Sequence, residues 1–369
     1  MKIITSVIAA GVLGLCPIVA QAKIERLVEK SFAVQPGSHL RVSTEGGHIT
    51  LKPGADGTVS ITARQKVRAN TEARADELLK DLELTLEQSG DGITAAAKYL
   101  ARKSGWGSGG RLVQVDFEIT VPAALNAELR TSGGHIKVGD LQGNLTARTS
   151  GGQIQLGHIR GEVKAGTSGG SVTLAQASGP VELRTSDGSI TVGNLRGRMQ
   201  ARARQGTIFF RQIDGSVDAR TEKGDVVVSR CTGAVTLRTV QGSIRIGTIG
   251  GRASLETVDG DIEFQAAHAP VVAVTRSGDI TAGFAAVAGG SQVRTALGNI
   301  TAQVNPDAAF ALRAQSGWGP VEAKLPFENE GNGRSGRLSG LRNGGGPLLE
   351  LSAGGGRVTI APDDTFLPL

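Results

Sequence analysis

The chain has 369 residues, among them 54 glycines but only nine phenylalanines, two tryptophans and one tyrosine, and its formal net charge is +6. So few rings exclude a large core packed from aromatics. They suit a thin interior of small β-branched side chains between narrow sheets. The charge leans toward anionic partners without naming one.

Lys2, the apolar run from Ile3 to Val19 and the small-x-small triplet Ala20-Gln21-Ala22 read as a secretory signal over residues 1–22. The expectation is an exported protein, periplasmic or at the cell surface. Beyond the signal Cys231 is the only cysteine, so an internal disulfide is not expected. No second apolar stretch approaches the ~20 residues needed to cross a bilayer.

Residues 23–130 read as N-terminal strands, a first coil and an inserted cap. The phrase running from Val42 through Thr44 and Gly47 to Ile49 returns as Leu129, Thr131, Gly134 and Ile136, so a repeat array starts near residue 38 and is interrupted. Inside the interruption, Asn70 or Thr71 is predicted to cap a short helix ending near Asp81, with Leu78, Leu79 and Leu82 inward. Strands are predicted at 84–86, 93–99 and 113–121. The helix would lie over the end of the array and shield its open edge.

Over 131–297 a glycine returns every 18 residues, at Gly134, Gly152, Gly170, Gly188, Gly206, Gly224, Gly242, Gly260 and Gly278. A fixed period of this length means a solenoid. A second set, from Gly143 to Gly251, stands nine residues on, which gives each coil two strands and two corners where glycine supplies positive φ. Alternating aliphatic positions stack into inward columns, Ile136, Ile154, Val172, Ile190 and Ile208 among them. Cys231 falls in a third inward column with Ile213 and Ile249, as a buried hydrophobe. A threonine column (Thr131, Thr149, Thr167, Thr185, Thr221, Thr239, Thr257, Thr275) continues the inward parity, its hydroxyls expected to bond turn backbone and one another.

A left-handed hexapeptide helix fails on Gln142 and Arg148, six and twelve places beyond Ile136. A calcium-binding nonapeptide roll fails on Ile136, where glycine is needed. What remains is an all-β fold: a two-sheet parallel β-solenoid, right-handed by the general preference of parallel crossovers, with a small α+β insertion near the N-terminus. Residues 298–369 read as irregular coils around Gly298 and Gly319, then a glycine-rich loop at 328–347, with Leu349 to Ile360 closing the array as its last coil.

Runs such as Thr149-Ser-Gly-Gly-Gln-Ile154 and Thr185-Ser-Asp-Gly-Ser-Ile190, behind a signal and a strand-rich start, resemble the bacterial putative-adhesin β-strand repeat family, also called toast-rack domains. The resemblance covers nearly the whole mature chain. It implies a cell-envelope protein, in some members linked to envelope stress, and brings no catalytic residue. Many members attach through a transmembrane helix, for which this sequence has no matching stretch.

Chemistry is expected on the outward columns. Arg130, Arg148, Arg184, Arg202, Arg220 and Arg238 recur at one position of the coil, with Arg294 beyond them. At ~4.8 Å between coils, neighbouring charges repel by roughly 0.9 kcal/mol even at the dielectric of water, and a polyanion laid along the row would relieve that. Arginine's planar fork suits phosphate, sulfate or carboxylate. An anionic glycan, lipopolysaccharide or an envelope protein is the expected partner, with no nucleic acid. Alternatively, Glu182 and Asp218 on the same face neutralise the row and leave an ordinary charged surface. The opposite sheet reads as neutral to acidic, with Asp225, Asp261 and Asp279.

His48 and His135 occupy equivalent places and would form a metal pair only if an acidic neighbour joined them. Gly105 to Gly110, with Trp106, fits a dinucleotide pattern on paper, but no helix follows. No catalytic residue, cofactor or metal is expected. The alternatives to a binding role are a carbohydrate-active solenoid enzyme and a purely structural scaffold.

Overall fold

The computed structural model describes residues 23–100, 112–328 and 336–363. Residues 1–22, which the sequence reads as a secretory signal, Trp106 with its neighbouring glycines, and residues 329–335 of the glycine-rich loop lie outside the described residues. Among the described residues two long sheets, of 17 and 16 strands, face each other across one continuous apolar core. We call them sheet A, which holds the strand that follows each corner glycine, and sheet B, which holds the strand that precedes the next one.

The eighteen-residue register is realised strand by strand. In sheet A, Ile154 pairs with Val172, Val172 with Ile190 and Ile190 with Ile208. In sheet B, Leu183 pairs with Ala201 and Arg202 with Arg220. Every pairing between these coils is parallel, so like residues pile into columns, and the inward ones are buried. The threonine column is buried too. Each hydroxyl donates to the carbonyl of a corner glycine on the preceding coil, as Thr185 Oγ1 does to Gly170 at 2.8 Å and Thr239 Oγ1 to Gly224 at 2.9 Å. The threonines thus bond glycine carbonyls where the sequence also suggested each other, because those buried carbonyls would otherwise lack a donor. Thr239→Val keeps the shape and removes the donor. It is expected to cost about 1–2 kcal/mol, read as a lowered urea midpoint by far-UV circular dichroism.

The N-terminal elements are β1 (Lys23–Ala33), β2 (His39–Thr44), β3 (Ile49–Pro53), β4 (Thr58–Arg68), α1 (Glu72–Leu79), β5 (Leu82–Ser89), β6 (Gly92–Tyr99), β7 (Val113–Val121), β8 (Asn126–Thr131) and β9 (Ile136–Val138). The first coil, β2 and β3, pairs in parallel with β8 and β9. Thr71 caps α1 by accepting from the Arg74 amide at 3.3 Å. Helix α1 does not lie over the solenoid end, however. It buries Ala75 in a side cluster with Val67, Ala69 and Val113, on which Leu78, Leu79 and Leu82 also pack. The end is covered by strands. Sheet A continues from β3 through parallel β7 to antiparallel β4 and β1, and sheet B from β2 through parallel β6 to antiparallel β5. Backbone pairing satisfies the exposed ladder groups of the first coil, which an eight-residue helix could not do.

The other end departs further from the sequence order. The coil made of Leu348–Ala353 and Val358–Pro362 is not the last one. It lies between the coil of Ser291–Leu297 and Ile300–Val304 and the coil of Phe310–Ser316 and Val321–Ala323, pairing in parallel with both. Its inward residues Leu349, Leu351, Val358 and Ile360 are fully buried and need a neighbour on each side. The outer coil brings its own cover: Phe310 meets Phe327 edge-on at 5.9 Å, and strand Arg337–Arg342 pairs antiparallel with Phe310–Ser316. The return loop is strapped to the outgoing one, since Arg342 Nη2 and Asn343 Nδ2 both donate to Pro306 O, at 2.8 and 3.2 Å.

Candidate functional site

The arginine column sits on the outward face of sheet B. Arg130 pairs with Arg148, and Arg184, Arg202, Arg220 and Arg238 follow one another on consecutive strands, all six exposed. Gly166 interrupts the row between Arg148 and Arg184. Position follows from strand parity: the residues on either side, such as Leu183 and Thr185, point into the core, so the arginine between them faces out.

Most of the row is already neutralised. Arg130 and Arg41 share Glu128, Arg184 pairs with Glu182, Arg220 with Asp218 at 3.2 Å, and Arg238 with Glu256 on the next coil at 3.1 Å. Burial pushes the Glu128 carboxyl upward, but Arg41 and Arg130 together outweigh it and hold its pKa below the ordinary value. Among the described residues Arg148 and Arg202 have no acidic partner. They are the rungs with an uncommitted guanidinium. Arg294 lies further along the face and pairs with Glu350 at 3.4 Å.

The acidic residues assigned to the opposite sheet have a local task. Asp225 Oδ1 accepts from the Ser243 amide, Asp261 Oδ1 from Asp279 and Asp279 Oδ1 from Asn299, at 2.7–2.8 Å. They tie one coil corner to the next. Arg245 on that sheet pairs with Asp225 at 3.1 Å, so the faces are less segregated in charge than the sequence suggested. Cys231 is buried, its Sγ 3.3 Å from Gly215 O, and burial raises its thiol pKa.

His48 and His135 stack with ring centroids 4.9 Å apart and planes within 7°. Each Nδ1 accepts a backbone amide of the next coil, from His135 and Gln153 respectively, both at 2.9 Å. That leaves the proton of each neutral ring on Nε2, so neither nitrogen offers a lone pair to a metal. An acidic neighbour is present in Asp116, yet it accepts the His48 amide at 2.8 Å and pairs with Lys66 at 2.7 Å. Among the described residues no group of three ligating side chains could hold a metal ion. Nor is any described helix long and apolar enough to cross a membrane.

The model of one domain family, Toastrack DUF4097, matches residues 38–251 and 232–361. The chain belongs to this family. The match begins at the first coil of the toast-rack and runs to the last strand of the coil that returns into the stack. No curated protein matches significantly. The toast-rack is similar to a "putative adhesin" from Parabacteroides merdae, with 13% identity, 69% of this chain and 95% of that one covered, and a TM-score of 0.33. It is also similar to a "putative lipid binding protein" from Parabacteroides distasonis, with 11% identity, 90% and 96% covered, and a TM-score of 0.26. A third similarity is to a "putative cell adhesion protein" from Clostridium sporogenes, with 9% identity, 92% and 100% covered, and a TM-score of 0.18. Likeness this low carries nothing about the toast-rack's ligand.

Proposed function

We propose that the protein is an exported, adhesin-like, non-enzymatic β-solenoid of the bacterial cell envelope. It holds an anionic surface polymer, an acidic glycan or lipopolysaccharide, or an acidic envelope protein along the outward face of sheet B. The observation that carries this reading is the in-register arginine row, in which guanidinium groups repeat at the ~4.8 Å strand spacing. Spacing of this order lets successive charged groups of a linear polymer meet successive rungs.

Arg148 and Arg202 contribute most in this reading, because the paired arginines must exchange a carboxylate for the ligand. Rim ion pairs of that kind are weak, each worth about 0–1 kcal/mol, so the exchange is not prohibitive. Arg148→Ser with Arg202→Ser is expected to weaken binding to immobilised lipopolysaccharide or polygalacturonate about tenfold or more at low salt. Removing the already paired Arg220 should matter less. Biosensor binding at two salt concentrations reads this, and an unchanged affinity in the double variant at low salt would reject the surface.

A further inference from the structure

Sheet A carries on its outward face a cleft of about 380 Å³, at the place where the regular coils meet the strands of the N-terminal cap. Register across five adjacent strands, from β4 through β7, β3 and β9 to Ile154–Arg160, places Thr62, Glu118, Thr50, Lys137 and Gln155 in one row. A second row beside it holds Arg64, Asp116, His48, His135 and Gln153. Two residues along a strand separate the rows by about 7 Å, and strands stand ~4.8 Å apart. The inward residues Phe117 and Ile136 line the cleft between the rows. The opening is therefore a trough about 7 Å across and roughly 19 Å along the five strands, wide enough to seat a six-membered sugar ring across it.

Its chemistry is mixed and balanced. The His48 and His135 rings present Nε2–H donors whose tautomer is fixed by the backbone amides on Nδ1. Thr50, Thr62 and the amides of Gln153 and Gln155 supply both donors and acceptors, and Lys137 supplies donors. Among the described residues none of those five side chains is engaged in a hydrogen bond or ion pair. Arg64 and Lys137 are set against Asp116 and Glu118, so the lining has no excess of either sign. Burial raises the Asp116 carboxyl, but Lys66, Gln114 and the His48 amide outweigh it and keep Asp116 below its ordinary pKa, hence an acceptor. Asp116 and Glu118 already pair with Lys66 and Lys52, and Arg64 with Glu25. Among the described residues Lys137 is thus the one charged group of the lining without a partner. A carboxylated or phosphorylated ligand would gain that single cation while lying near two ionised carboxylates. A ring of vicinal hydroxyls, each both donor and acceptor, would not be repelled by them.

We propose that this cleft binds one neutral sugar residue of a glycan, separately from the arginine face on the opposite sheet. The test uses the full chain and four methyl glycosides, those of glucose, galactose, mannose and N-acetylglucosamine, with glucuronate and inorganic phosphate as charged probes. Titrations are followed by NMR of the imidazole nitrogens and carbons. At least one neutral glycoside is expected to shift the His48 and His135 signals saturably by about 10 mM, more tightly than glucuronate or phosphate. Gln155→Ala and Lys137→Met, both at exposed positions, should each weaken it about tenfold, while Arg148→Ser with Arg202→Ser leaves it unchanged. Four results would overturn the assignment: no saturation by any glycoside, equal or tighter binding of the charged probes, indifference to both cleft variants, or nitrogen shifts placing the imidazole protons on Nδ1. Because the arginine variants lie on the other sheet, failure here leaves the reading of that face standing, and the reverse holds too.

Discussion

Ending the chain at Pro347 is expected to loosen far more than the residues removed. Were the coil beginning at Leu348 the last in the stack, its loss would expose one new edge and leave everything before it intact. Its actual place is between the coils of 291–304 and 310–323, pairing with both in both sheets. Removal opens a slot inside the stack, strips the buried Val293 and Leu312 of their neighbours, and leaves the outer coil with only its antiparallel cover strand. Hydrogen exchange read by mass spectrometry should show protection lost from 291 onward, with the coils of 136–267 retaining theirs. The single change Leu351→Ala, at a fully buried position, is expected to cost about 2–5 kcal/mol and to raise exchange in the same outer coils first. Protection surviving at 310–323 in the shortened chain would refute the observed order.

The second large effect separates two neighbouring glycines. At Gly134 an added Cβ would stand 1.8 Å from the Gly47 carbonyl oxygen, a backbone atom fixed in the adjacent coil. At Gly133 the same atom would meet nothing within 4 Å. Gly134→Ala therefore forces two coils apart at a corner and is expected to cost about 3 kcal/mol or more. Gly133→Ala should be neutral or stabilise by roughly 0.4–1 kcal/mol, through the entropy it removes from the unfolded chain. Denaturant midpoints of the two variants, side by side, give the comparison; equal midpoints would mean the coils are not in close contact at this corner. The pair also corrects the reason for the repeat glycine. Gly206 does have the positive φ of 125° that the sequence reading invoked. Gly134 to Gly188 do not, and there the closeness of the preceding coil's carbonyl demands glycine.

Such details mark where the sequence was legible and where it was not. Columns were legible because every coil has the same environment, so Ile190, Thr185 and Cys231 carry the parity of their places in the residue type alone. The order of the outer coils was not, because the phrase around Leu349 to Ile360 fits a slot between two coils as well as one at the end. Phe310 and Phe327, which cover the coil of 310–323, give no sequence signal for its place, because Phe210, Phe264 and Phe284 are buried in interior coils as well. The arginine row could be placed on one face, and Glu182 and Asp218 were recognisable as neutralising partners. Glu128 and Glu256 were missed, although the column that supplies Arg238 carries Glu256 eighteen residues on. The cleft on sheet A was out of reach apart from its stacked histidines. Arg64, Asp116 and Thr62 come from the insertion, in which β7 pairs in parallel with β3 and β4 antiparallel with β7, outside the repeat spacing, so nothing in that spacing brings them to His48.

Stacking order and register together support both faces, and cysteine pairs on the outward side of sheet B test them most directly. In a Cys231→Ser background, Arg294→Cys with Ser352→Cys, and Gln315→Cys with Ser352→Cys, join residues that are direct partners on adjacent strands. Mild oxidation should close a disulfide within one chain for each of these pairs, since adjacent strands fall inside the bridging distance. Arg294→Cys with Gln315→Cys spans two strand spacings and should stay reduced; its closure, with Ser352 pairing to neither, would contradict the account.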